Sequence, residues 1–174
     1  MPGDTIDRVF LDFSSTKLRE LASRIDTCLA QLTEEQVWAR GGENENAVGN
    51  LVLHLCGNVR QWIIASIGGE PDTRQRDREF GARGDMPVAD LRRRLSTTAA
   101  QAGAVIAGVP ADRLTQRLVI QGYDVSILEA IYHVVEHFAN HTGQIIFVTK
   151  MRTGTDLGFY RHLSTPSAHS QTVP

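Results

Sequence analysis

Three histidines recur at every fourth position late in the chain: His133, His137 and His141. Neutral imidazole nitrogens bind divalent transition metals, and histidine also serves as a general acid or base. On a helix, residues i and i+4 share a face, so two neighbours in this series could bind one ion. All three could not, because i to i+8 spans about 12 Å along the helix axis, whereas zinc–nitrogen bonds are about 2.0–2.1 Å long. At most two of the three therefore belong to one site.

The apolar pattern around the series favours His137 and His141 as that pair. When the segment is drawn as a helical wheel, its apolar residues centre on one arc. His141 lies near the edge of this arc, His137 slightly farther out, and His133 farther still. A third ligand has to come from another element, and His54 flanks the apolar arc of a different predicted helix. Spacing alone leaves an alternative open, in which these are ordinary hydrogen-bonded or solvated histidines.

Four long amphipathic helices are predicted to position these residues, because apolar side chains recur at steps of three and four. The predicted helices cover about residues 5–32, 47–67, 88–107 and 126–152. Ser126 with Glu129 predicts a capping box for the last helix, and Gly154 predicts its end. The apolar run 118–120 could be a short extended piece, but no convincing sheet is indicated. The pattern predicts an all-α protein, a four-helix bundle.

The 174 residues are expected to form one domain over residues 1–163, followed by a flexible C-terminal tail over 164–174. His162 and His169 lie in or near this tail, which makes them poor ligands for a preorganised site. Residues 70–87 have little apolar content and are predicted to form a long loop, of a length that is often functional.

Charge gives no reason to expect nucleic acid as a partner, since the formal net charge is −2. Arginines cluster at 74–78 and 92–94. Asp77 and Glu79 offset the first cluster, and the second fits a solvated helix face, so both are predicted to be solvated. No window approaches the roughly 18 apolar residues of a membrane span, and no secretory signal pattern opens the chain. The two cysteines are isolated. We expect a cytoplasmic protein without a membrane partner.

Residues 136–145, EHFANHTGQI, together with His54 and its neighbours in 50–63, resemble the DinB superfamily of bacterial four-helix bundles. The stretches 68–72 and 154–160 also look typical of one little-characterised branch, so the resemblance covers about residues 5–163. In this superfamily three histidines bind a divalent metal. The resemblance implies an up-down-down-up bundle and a homodimer. It also implies a set of metal ligands, namely His54, His137 and His141.

Three neutral imidazoles would leave the ion an open coordination position, which is the arrangement of a catalytic site. Because some characterised members of the superfamily are thiol-dependent transferases, the resemblance together with this site implies a metal-dependent enzyme, a hydrolase or a thiol S-transferase. Nickel or zinc would activate water or a small thiol toward a small-molecule substrate. Candidates for orienting the ligands lie nearby: His133, Glu136, Asn58 and Gln144. The alternative is a non-catalytic stress-response bundle that binds metal or a small molecule. Phe147 and Met151 fall off the main apolar arc of the last helix, which favours a dimer.

Overall fold

The structure, a computed structural model, describes residues 5–163, so the tail predicted at 164–174 lies outside the described residues. Within that range the chain is mostly helical, as the hydrophobic periodicity predicted. The α-helices are α1 Ile6–Leu29, α2 Glu34–Trp38, α3 Val48–Val59, α4 Arg76–Gly81, α5 Val88–Ala107 and α6 Ile127–Thr153. Two strands follow α5, β1 Arg117–Ile120 and β2 Tyr123–Ser126. None of the described helices combines the length and apolar character that a membrane span requires.

Helix α6, which carries the histidine series, begins and ends where the sequence predicted. The Ser126 hydroxyl accepts a hydrogen bond from the Glu129 amide at 3.2 Å, and the Glu129 carboxylate accepts from the Ser126 amide at 2.6 Å. This reciprocal pair satisfies two amides that otherwise lack partners at the helix start. Gly154 follows the last turn with φ of +64°, a left-handed conformation that glycine adopts without strain. The capping-box prediction is confirmed.

Helix α3 is buried along its whole length, including three polar residues, Asn50, His54 and Asn58. It continues into a π-helical segment, Arg60–Ala65, so the two together account for the predicted helix over 47–67. Short π-helical turns are rare and are frequently found at functional sites. Here the segment carries the buried Trp62.

Helices α5 and α6 both pack against α1 and α3 around one apolar core. Helices α1 and α5 are antiparallel, because Ser15 donates to the Gly103 carbonyl at 3.2 Å while Arg92 near the start of α5 donates to Asp26 at 2.6 Å. The α1–α5 contact therefore joins the start of each helix to the end of the other.

Helix α3 runs antiparallel to α6, because His54 meets His137, whereas Trp62 in the π-helical continuation of α3 meets the earlier His133. It runs parallel to α5. Cys56 lies beside Thr98, and Gly68, just beyond the π-helical segment, approaches Val105. The antiparallel contact with α6 is the one that brings the predicted ligands of the two helices to the same level.

The extended piece predicted at 118–120 is confirmed as part of β1, but the connections contain more structure than predicted. Strands β1 and β2 form an antiparallel hairpin, with Ile120 opposite Tyr123 across a two-residue turn whose residues both have positive φ. Its four-residue strands mix polar and apolar residues, so their alternation was too short to predict a sheet. The predicted loop over 70–87 contains α4, whose six residues lack an apolar stripe and which is held by packing on α3.

Candidate metal centre

The structure brings His54 from α3 together with His137 and His141 from α6. One ring nitrogen from each lies within 4.8 Å of the others, and the Nε2 atoms of His54 and His137 are 2.9 Å apart. The His54 side chain is buried, and the other two are half-buried. This is the set that the sequence singled out, and each member comes from the helix on which it was predicted.

The spacing of the His54 and His137 rings fits a divalent metal. Two nitrogens bound to one ion at about 2.0–2.1 Å would lie about 3.3 Å apart in a tetrahedral site and about 2.9 Å apart at a right angle. The 2.9 Å separation of the His54 and His137 nitrogens is within a few tenths of an ångström of both values, about the adjustment that a rotamer can make. Imidazole ligands suit zinc and nickel among the divalent ions.

The surroundings keep the two α6 rings neutral, which is the form that binds metal. Burial, together with the nearby rings of His141 and His54, lowers the pKa of His137 to about 4. Burial also lowers the pKa of His141, although its hydrogen bond to Gln144 opposes this. Near neutral pH neither ring has to lose a proton before an ion binds.

The buried ion pair of Arg74 and Glu79 contacts the Nδ1 side of the His54 ring. The Nδ1 atom of His54 lies 3.0 Å from Oε2 of Glu79 on α4. Arg74 donates two hydrogen bonds to the same carboxylate, of 2.8 Å to Oε1 and 2.9 Å to Oε2. The Arg74 and Glu79 side chains are only 3% and 7% exposed. Such a carboxylate partner fixes the ring so that Nδ1 carries the proton and Nε2 faces the cluster.

The Glu79 carboxylate is charged despite its position. Burial would raise the pKa of Glu79, but hydrogen bonds from Arg74 and His54 outweigh it and lower that pKa. Two features of α3 hold α4 close enough for this contact. Asn50 donates to the Glu79 carbonyl at 2.8 Å. Gly57 leaves room for the carboxylate, because a Cβ atom at position 57 would lie 1.9 Å from Oε1 of Glu79.

The contact of Arg74 and Glu79 with the histidine site was not predicted. The prediction that the charged cluster around them is solvated is wrong for these two residues. A run of alternating charges looks the same in sequence whether it faces water or a buried histidine. Their burial follows from α4 packing on α3. The one available signal was Gly57, which lies one turn after His54 on the same helix face, where a small residue allows close approach.

Of the two α6 residues Gln144 and Glu136, which were both predicted to orient the ligands, only one contacts a candidate ligand. Gln144 accepts a hydrogen bond from Nδ1 of His141 at 2.6 Å, which leaves Nε2 of that ring for an ion. Glu136 is exposed, and its charge raises the pKa of His133 against the lowering by burial. Gln144 therefore contacts a candidate ligand, and Glu136 does not.

His133 and Asn58 border the cluster without joining it. The His133 ring stacks on His137 with centroids 5.6 Å apart and lies against Trp62 at 4.3 Å. Asn58 is buried, and its Oδ1 atom has no hydrogen-bond partner among the described residues. Both line a cavity of about 450 Å³ that opens beside His54 and His137. Other walls of the cavity come from Trp62, Tyr123, Gln121 and Arg76. A cavity of this size suits a small molecule.

Comparison with known proteins gives a family and a fold. A family profile described as "Protein of unknown function (DUF1572)" matches residues 5–169. Among solved structures, a conserved protein from Enterococcus faecalis superimposes with a TM-score of 0.68 at 15% sequence identity, over 82% of this chain and 96% of that one. At this identity the likeness is one of fold. A search of curated proteins found no match.

Proposed function

Since the chain belongs to the family described as "Protein of unknown function (DUF1572)", we propose its function from the site: His54, His137 and His141 bind one divalent metal ion in a metal-dependent enzyme. The ion, nickel or zinc, would activate water or a small thiol toward a small-molecule substrate. The observation that carries the proposal is the convergence of three ring nitrogens within 4.8 Å from two facing helices.

The supporting contacts give each part of the site a separate role. When bound, the ion would supply Lewis-acid activation of a water or a thiol. Glu79 and Gln144 hold the rings of His54 and His141 through their Nδ1 atoms, so the Nε2 atoms stay directed at one point. Trp62 and His133 form an aromatic wall on which a substrate can pack beside His137.

A non-catalytic binder of metal or of a small molecule is the second candidate. One observation favours it. Glu129 is the only carboxylate that lines the cavity beside the histidines within residues 5–163, and it already accepts hydrogen bonds from Ser126 and Arg117. A hydrolase needs a group that takes a proton from water, whereas a protein that only binds metal or a small molecule needs no such group.

Metal analysis of the purified protein tests the ligand set. We expect about one nickel or zinc ion per chain in the wild type and in His133→Ala, because His133 stacks on the cluster without facing an ion. His54→Ala and His141→Ala should lose the metal. Full metal content in either of these two variants would remove the ligand assignment.

Turnover separates the enzyme from the binder. The metal-containing protein is assayed for hydrolysis and for thiol transfer on a panel of small electrophiles, with several low-molecular-weight thiols. We expect a rate that His54→Ala abolishes. If the metal-containing wild type turns over nothing on the panel while still binding metal, the binder reading replaces the enzyme.

We also propose that the four long helices form a DinB-like, up-down-down-up four-helix bundle. Support comes from α1 running opposite to α5, α3 parallel to α5, and α3 opposite to α6. A homodimer is the proposed assembly, since Phe147 and Met151 on α6 are 65% and 72% exposed. Sedimentation of wild type and Met151→Glu tests this, because a charge in the interface should yield monomers. The free Cys28 and Cys56 fit a cytoplasmic location.

A further inference from the structure

Arginines from three different elements surround a second cavity, on the far side of the Arg74–Glu79 pair from the histidines. This cavity has a volume of about 450 Å³. Arg60 reaches it from the π-helical segment, Arg78 from α4 and Arg94 from α5. The clusters 74–78 and 92–94 were predicted to be solvated, and Arg78 and Arg94 are indeed exposed. The fold brings these two residues, one from each cluster, to the same cavity.

The charges around this second cavity are not balanced. Four arginines and two carboxylates, Glu79 and Asp85, line it, which leaves two formal positive charges. Glu79 is already taken by the two hydrogen bonds from Arg74. Arg60 has a partner in Glu70 at 3.2 Å. Within residues 5–163, Arg78 and Arg94 make no ion pair, although most arginines near them do.

We propose that this second cavity binds a small polyanion that carries phosphate or carboxylate groups. Guanidinium groups present planar pairs of donors that match both kinds of oxyanion. Since Arg78 and Arg94 come from different elements, a ligand with two anionic groups can engage both at once. Thr73 and Gln75 add neutral hydrogen-bonding groups to the wall. A cavity of about 450 Å³ has room for such a molecule.

The anion site and the histidine cluster share one wall but use different groups. Arg74 and Glu79 stand between them, and the histidines do not line the second cavity. An anion bound there would contact arginines, whereas an anion bound to the metal would need the histidines. This difference makes the two locations separable by mutation.

Calorimetric titration of the full-length protein with pyrophosphate and with citrate tests the proposal at low ionic strength. We expect saturable binding of one molecule per chain for at least one of the two. The double variant with Arg78→Gln and Arg94→Gln should have a Kd at least about tenfold higher, because charge-assisted hydrogen bonds are lost. Added salt should also weaken the binding, since the site is electrostatic. Preference between the two probes identifies phosphate or carboxylate as the better group.

Two matched controls keep the test specific. Arg93→Gln with Arg113→Gln removes the same charge from surface positions outside the cavity and should leave the Kd unchanged. His141→Ala should bind the anion as the wild type does. Since Arg78 and Arg94 are exposed, far-UV circular dichroism should show a folded double variant, and Arg94→Gln alone is the fallback, with a smaller but measurable rise in Kd.

Three results would overturn the proposal. They are the absence of saturable binding to the wild type, an equal loss of affinity in the surface-arginine control, and loss of binding in His141→Ala. The last result would place the anion at the metal instead. None of these outcomes depends on whether the histidine site is catalytic.

Discussion

Replacing Gly57 by alanine should separate the Glu79 carboxylate from Arg74 and His54. A Cβ atom at position 57 would lie 1.9 Å from Oε1 and 2.7 Å from Cδ of Glu79. Neither the carboxylate nor its partner can relax into water easily, since the Arg74 and Glu79 side chains are 3% and 7% exposed. The added methyl group therefore has to displace the carboxylate or push α4 away from α3.

The magnitude follows from two opposing effects. Alanine is a better helix former than glycine by about 1 kcal/mol, which favours the variant. Separating a buried ion pair costs about 3–5 kcal/mol, because one charge is left without its partner. The free energy of unfolding should therefore fall by about 2–4 kcal/mol. Loss of the carboxylate that holds His54 should also weaken metal binding by about 10–100-fold.

Urea denaturation followed by circular dichroism, in the presence of a chelator, measures the stability change without a contribution from metal. Competition with a chromophoric chelator measures the metal affinity separately. Gly143→Ala is the matched control: position 143 is also inside a helix, but an added Cβ meets nothing within 4 Å. That variant should be as stable as the wild type or up to about 1 kcal/mol more stable.

A variant that lacks the Glu79 carboxylate tests whether the collision with this carboxylate is the cause of the instability. In a protein that already carries Glu79→Ala, the collision at position 57 is absent, so adding Gly57→Ala should be neutral or slightly stabilising. The two changes are then strongly non-additive, as expected for residues in contact. If Gly57→Ala alone leaves both stability and metal affinity at wild-type values, the account of a fixed Glu79 behind His54 is wrong.

Three further outcomes are expected. Gln144→Ala should weaken metal binding about tenfold through the loss of the His141 partner, whereas Glu136→Ala should not; equal affinities in chelator competition would contradict this. Chelator should lower the Tm of the wild type, because an ion that binds only the folded state stabilises it; an unchanged Tm would argue against a bound metal. A hydrogen bond from Arg92 lowers the pKa of Asp26 in the folded protein below its unfolded value near 3.8. The pair therefore stabilises the fold fully above the unfolded pKa, and this stabilisation is lost as the pH falls through the folded pKa. Asp26→Asn should thus cost at most about 1 kcal/mol at neutral pH, since both side chains are two-fifths exposed, and the difference should vanish in acid; a difference that persists at low pH would contradict this.

Local patterns predicted the helices well, because each pattern acts over one or two turns. The i, i+4 spacing of His137 and His141 placed both rings on one face of α6 without any tertiary information. Ser126 and Glu129 set the start of that helix by satisfying each other's neighbouring amides. The apolar stripes predicted most of the buried faces of the long helices, but Ile6 and Phe13, which belong to the apolar pattern of α1, are exposed. The β1–β2 hairpin was missed because four-residue strands carry little periodicity.

The third histidine, His54, was found partly by its place on another apolar helix and partly by family resemblance. Its distance from His137, 83 positions along the chain, has no local signature. Spacing within α6 could exclude a site made from all three of its histidines, but it could not choose the level at which α3 crosses. Packing of α3 against α6 decided that level.

The sequence by itself determined the four long helices, most of their buried faces and the pair of rings on α6, since these depend on backbone geometry and on the period of apolar residues. Only the tertiary structure decided what lies behind and beside those rings. Glu79 and Arg74 read as ordinary surface charges until α4 packs on α3. Their burial, and the convergence of Arg78 and Arg94, follow from contacts between residues far apart in the chain. The energy of a charge depends on what surrounds it, and a linear pattern does not record those surroundings.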